Sequence, residues 1–172
     1  MKLLRLISTV SLLSFAVARL AAEGHTAAEM ATWHKAADNK IVAQKLVNDL
    51  MKAHPELLIV GIHGVAPGAK SGTMIATNLD RVGKVSDEDD NAVADDHRII
   101  LEINKTDPTR FEVLIWMKDA KGNELDAAVG FVFKYNKKTD SDVAMLTKGE
   151  ALRDELASKI PSWEAIFAPA KL

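Results

Sequence analysis

Residues able to ligate or transfer protons fall in a few places. Asp87, Glu88, Asp89 and Asp90 run together, and Asp95 and Asp96 follow closely. Carboxylates at this density suggest calcium. Calcium takes about six to eight oxygens from a preset loop, however, and the EF-hand order with its central glycine is absent. The run reads instead as the solvated start of a short helix, capped by Ser86, with its acids at the positive end of the helix dipole. The histidines His25, His34, His54, His63 and His97 show neither His-Glu-x-x-His nor a paired i, i+4 spacing, so no metal is expected. A noncovalent haem would take His63 or His97 as axial ligand, but nothing singles either out, and no cofactor is expected.

Enzyme signatures are equally thin. There is no Gly-x-Ser-x-Gly elbow. Gly61, Gly64, Gly68 and Gly72 are spread over a strand and its following loop, not between a strand and a helix. Glu102 and Glu112 fall on neighbouring strands and invite a carboxylate pair. Both occupy outward-type positions beside Arg98, Arg110 and Lys118, so cross-strand ion pairs are the expectation. The chain has no cysteine, which removes disulfides, thiolate nucleophiles and Cys-ligated metals. No enzyme is expected.

These residues need elements to hold them. A length of 172 residues is a prior for one domain. A domain of that size buries roughly 70% of the surface its unfolded chain exposes, so a core is expected without staples. Residues 1–18 read as a secretory signal: Lys2 and Arg5, an apolar run from Leu6, and the small pair Ala16 and Ala18 at a cleavage site. The run falls short of the ~20 residues a comfortable membrane span needs. An uncleaved anchor is the alternative. Cleavage takes Lys2 and Arg5 from the 22 basic residues and none of the 24 acidic ones. The remaining chain is acidic and has no basic stripe for nucleic acid.

Residues 26–54 are strong helix formers. Thr26 and Glu29 have capping-box spacing, and Met30, Trp33, Ala37, Ile41, Leu46 and Leu50 make an apolar stripe. The spacing predicts one long amphipathic helix, ended by Pro55. Strands are predicted at 57–63, 73–78, 98–104, 110–118 and 126–135, the fourth alternating cleanly from Arg110 to Lys118. Val143, Leu146, Leu152, Leu156 and Ile160 stripe a closing helix that Pro161 stops. Residues 161–172, with Trp163, Ile166 and Phe167, form a tail that packs on the body. The sum is an α+β fold: a five-stranded antiparallel sheet with a long N-terminal helix and a C-terminal helix. The long helix covers one face. The connection after the second strand crosses the other and leaves a concave space.

That order resembles the PAS-like extracytoplasmic sensor fold called a Cache domain, over residues 26–160. Met74-Ile-Ala-Thr-Asn78, then Asp80-Arg-Val-Gly83-Lys84 and Asp87-Glu-Asp-Asp90, is similar to the corresponding segment of such domains. So is Glu112-Val-Leu-Ile-Trp-Met-Lys-Asp-Ala-Lys-Gly122, their central hairpin. The resemblance implies a small-molecule pocket between the sheet and the connection after the second strand. His63, Asn78, Arg81, Lys84, Trp116 and Tyr135 are its candidate residues. His63 ends a buried strand and can accept or donate. Asn78 does both from a strand end. Arg81 and Lys84 suit a carboxylate, and Trp116 makes an aromatic wall. Each has a plainer reading: a hydrogen-bonded core histidine, solvated turn charges, and aromatic rings that only pack.

The function these readings support is an exported, periplasmic or secreted sensor-type domain. It binds a small organic anion or amino-acid-like ligand, has no output module of its own, and presents the ligand to a membrane-associated partner. The alternative is a structural module that forms a homodimer through the long helix.

Overall fold

The computed structural model describes residues 25–171. The proposed signal segment, 1–18, lies outside them. The chain divides into two units, one up to Trp33 and one from His34 on. In the first, helix α1 (Ala27–Met30) starts with the predicted capping box: Glu29 N–H donates to the Thr26 hydroxyl, and Thr26 N–H donates to the Glu29 carboxylate. The His25 and Trp33 rings meet edge to face, 5.1 Å apart.

The second unit holds an α+β, PAS-like sheet. Its strands are β1 (Leu57–Gly64), β2 (Thr73–Thr77), β3 (Ile99–Ile103), β4 (Arg110–Lys118) and β5 (Glu124–Lys134). They lie in the order β2-β1-β5-β4-β3, every pair antiparallel. Helix α2 (Val42–Ala53) precedes the sheet, α3 (Glu88–Asp96) follows β2, and α4 (Asp142–Ala157) follows β5.

The single long helix predicted for residues 26–54 is not formed. Between α1 and α2 the chain makes only a short 3-10 turn, Ala36–Asp38. Distant partners take the backbone groups a helix would use. His34 and Val82 exchange N–H···O bonds of 2.8 and 3.2 Å. The Asn39 amide donates to the Ile75 carbonyl at 2.8 Å. Helical propensity is a weak prior that such tertiary pairing overrides. Of the predicted stripe, Leu46, Val47 and Leu50 are buried in the main core together with Ala43, so that part of the face invoked by the dimer reading is not exposed. Each such leucine or valine contributes roughly 2 kcal/mol by burial.

Alternation along β4 explains the layers. Phe111, Val113, Ile115 and Met117 point into the main core, with α2 and α4 residues over them. Leu114 and Trp116 point the other way, to Val93 and Ala94 of α3. The stripe of α4 differs from expectation: Val143 is 74% exposed, and Met145, Gly149, Leu152 and Leu156 form the buried line. Gly149 permits this contact, since a Cβ there would stand 2.5 Å from a Val113 methyl. Beyond α4, the Trp163 indole donates to the Val65 carbonyl at 2.9 Å, Ile166 is buried, and Ala170 N–H donates to Lys40 at 2.9 Å.

Candidate functional site

The side of the sheet beneath α3 carries a buried ionisable pair. β1 reaches it through an irregularity: the register with β2 shifts between Ile62 and His63. Such shifts re-aim side chains. His63 is 5% exposed, and its Nδ1 lies 3.0 Å from an Asp90 carboxylate oxygen and 3.4 Å from the Ser86 hydroxyl.

Asp90 is positioned by the start of α3. The cap is Asp87 rather than the expected Ser86, and it forms a capping box with Asp90. The Asp87 carboxylate accepts from Asp90 N–H at 3.1 Å, and the Asp90 carboxylate accepts from Asp87 N–H at 3.0 Å. Asp90 thus binds a helix end and an imidazole at once. Burial opposes its ionisation. The His63 hydrogen bond and charge, the Asp87 N–H and Lys84 together outweigh burial and hold the carboxyl below its ordinary range. With Asp90 ionised, His63 Nδ1 carries the proton donated to it, and Nε2 is the free position of the neutral ring.

Glu112 of β4 is the third member. It is partly buried, and among the described residues its carboxyl has no hydrogen-bond or ion-pair partner. Burial pushes its pKa up, the Asp90 charge adds to this, and His63 opposes it. The expected cross-strand ion pairs do not form. Glu102 lies directly opposite Glu112, a like-charge pairing, and bonds Lys105 at 2.9 Å. Arg110 pairs with Asp107, Arg98 with Asp96, and Lys118 lies 6.0 Å from the Trp116 ring.

Two paired glycines, Gly61 of β1 and Gly130 of β5, make the floor. A Cβ on Gly61 would lie 3.4 Å from His63 Nε2 and from the Met74 methyl. One on Gly130 would lie 3.2 Å from a Glu112 carboxylate oxygen. The missing side chains leave room for the imidazole and the carboxyl against the strands.

The other candidates scatter. Asn78 is a structural clamp: its side chain accepts from Val60 N–H at 2.9 Å and donates to the Leu58 carbonyl at 3.0 Å. Lys84 stands near the site with its ammonium 3.3 Å from Asp87, and Arg81 is partly buried in the same turn. Trp116 faces α3, in the cross-strand row of His63 with Ala128 between them. Tyr135 does not reach the site. It packs 5.0 Å from the Phe111 ring, in the main core on the opposite side of the sheet. Sequence reasoning missed Asp90 and Glu112 as site members. The mid-strand glycines were the signal for them, because glycine inside a strand marks a close approach. No group of three or more His, Asp or Glu among the described residues is placed to hold a metal ion.

No family model matches the chain, and no curated protein matches it. Among solved structures it is similar to the repressor BlcR of Agobacterium tumefaciens, at 13% identity and TM-score 0.41 over 69% of this chain and 66% of that one. HmgR of Pseudomonas aeruginosa matches at 10% identity and TM-score 0.43, over 79% of this chain and 70% of that one. A type II free methionine-R-sulfoxide reductase from Thermoplasma acidophilum matches at 15% identity and TM-score 0.41, over 76% and 99%.

Proposed function

We propose that this chain is an exported, Cache-like domain that binds a small amine-bearing, amino-acid-like ligand beneath α3, as a sensor and not as an enzyme. The observation that carries the reading is Glu112: a partly buried carboxyl with no hydrogen-bond or ion-pair partner among the described residues, beside the buried His63–Asp90 pair. An ammonium group would supply what Glu112 lacks, and charge-assisted hydrogen bonds are the strong ones. His63 Nε2 offers a second polar contact. An organic anion is the weaker choice here, because Glu112 and Asp90 both repel it and Lys84 is paired with Asp87.

A sensor reading suits a His–Asp pair without a nucleophile beside it. The serine nearest the imidazole, Ser86, touches Nδ1, the nitrogen already turned to Asp90, and so lacks the base that would activate it. Delivery of the ligand to a membrane-associated partner belongs to the same proposal.

Native mass spectrometry of the protein recovered from an exporting host tests it. The expected spectrum shows an N-terminus at Arg19 and a population carrying an additional small basic molecule, released by acid. A cytoplasmic product of full length would overturn export. Failure to bind any amine or amino acid on addition would overturn the ligand reading.

A further inference from the structure

A second group of side chains lies around Trp116, on the same face of the sheet and two strands from His63. It stands independently of the amine reading. β4 places Trp116 four residues beyond Glu112, about 13 Å along the strand. Two buried ring nitrogens here have no hydrogen-bond partner among the described residues: Trp116 Nε1 and His97 Nε2. The two rings are stacked, with centroids 5.9 Å apart and planes inclined by 23°. A buried polar atom without a partner costs about 1–3 kcal/mol.

The backbone at His97 adds a second, independent oddity. His97 follows the last turn of α3 with φ 54°, the only positive φ outside glycine among the described residues. Glycine or asparagine is the usual occupant of such a position. A histidine is held there by its own contacts. Nδ1 lies 3.0 Å from a Glu124 carboxylate oxygen, and Asp126 stands 4.0 Å from Nε2. Strained residues of this kind gather at ligand sites. Two cations lie near the indole: the buried Arg153 guanidinium, which also bonds Asp154 at 2.8 Å, is 5.6 Å from its ring and the Lys118 ammonium 6.0 Å.

We propose that Trp116 and His97 form a subsite for a carboxyl group. The indole N–H can only donate, so its partner must be an acceptor oxygen. With Nδ1 donating to Glu124, the imidazole offers Nε2 as a second donor when charged and as an acceptor when neutral. A carboxyl group satisfies both forms: the carboxylate accepts from both rings, and the acid accepts from the indole while donating to Nε2. Lys118 and Arg153 favour the ionised form. Glu124 and Asp126 limit the site to one negative group.

Proton–nitrogen NMR of the full chain tests this, with the Trp116 indole signal assigned by its loss in Trp116→Phe. The probes are sodium acetate, sodium chloride at equal ionic strength, and methylammonium chloride. The expected result is a saturable downfield shift of that indole proton with acetate alone. His97→Gly should weaken the acetate response at least tenfold while raising the melting temperature, because it removes the ring and relieves the left-handed backbone. Absence of a saturable shift, an equal shift with chloride, or an undiminished shift in His97→Gly would overturn the subsite. If His97→Gly does not fold, the wild-type titration decides. A response to methylammonium alone would refute this subsite and leave the amine site standing.

Discussion

His63 Nδ1 lies 3.0 Å from Asp90, with side-chain exposures of only 7% and 8%. The two residues come from different layers, a central strand and the helix laid across it. Their contact ties α3 to the sheet, and with the ionised carboxylate it fixes which imidazole nitrogen carries the proton.

Removing one member should therefore be costly. Removing one partner of a buried hydrogen bond to a charged group costs about 1.5–3 kcal/mol. Asp90→Asn also weakens the capping box. The expected outcome in urea unfolding is a loss of about 3 kcal/mol, with near-ultraviolet dichroism changed around α3. For the pH dependence, the folded-state pKa of Asp90 is depressed. Its contribution is thus present above the unfolded pKa and is lost as pH falls through the folded one. Wild type should lose stability below pH 3.8, the ordinary Asp value, more steeply than Asp90→Asn.

Glu112 has the opposite sign. Its folded pKa is raised, so the neutral form is favoured in the fold, and that contribution is lost as pH rises above the ordinary value of 4.5. Glu112→Gln should be stabilising at pH 7.5, by about 1 kcal/mol or roughly 3 °C for a chain of this size. At pH 4 the variant and wild type should melt together. Calorimetry at the two pH values checks this.

Gly149 is where α4 meets β4. Gly149→Ala would raise helix propensity on an exposed helix, yet here the added methyl meets Val113 at 2.5 Å. Overpacking costs about 1–3 kcal/mol. The expected result is a lower denaturation midpoint, partly restored by adding Val113→Ala.

His54 closes α2 and reaches α4, with Nε2 2.8 Å from Glu155. The Glu155 hydrogen bond holds its pKa above the ordinary value of 6.5. The gain is full below the unfolded pKa and is lost as pH rises through the folded one. Glu155→Gln should cost about 0.5 kcal/mol at pH 5.5 and almost nothing of this term at pH 9, measured by thermal melts.

The sheet was legible because its strands alternate or run apolar between turn residues, as β4 does from Arg110 to Lys118. The break in the first helix was not, because residues 26–54 favour helix locally and the competing bonds come from Ile75 and Val82, distant in sequence. His63 was legible as an inward-facing strand end. Its partner was hidden in an acidic run that reads as solvent-facing, and only the helix turn from Asp87 brings Asp90 under cover. Glu112 was hidden by the same alternation that revealed β4. Its side of the strand reads as outward in the sequence, and α3 lays Val93 and Ala94 over that side. Tyr135 was placed on the wrong side because strand ends do not announce which layer they join.

Differential scanning fluorimetry of wild type and Glu112→Gln, run side by side at pH 6 across a panel of small amines and amino acids, tests the binding claim most directly. At one hundred times its dissociation constant, a ligand stabilises by about 2.7 kcal/mol. The account predicts that at least one amine raises the wild-type melting temperature and leaves Glu112→Gln unmoved. No shift across the panel, or equal shifts in both proteins, would contradict it.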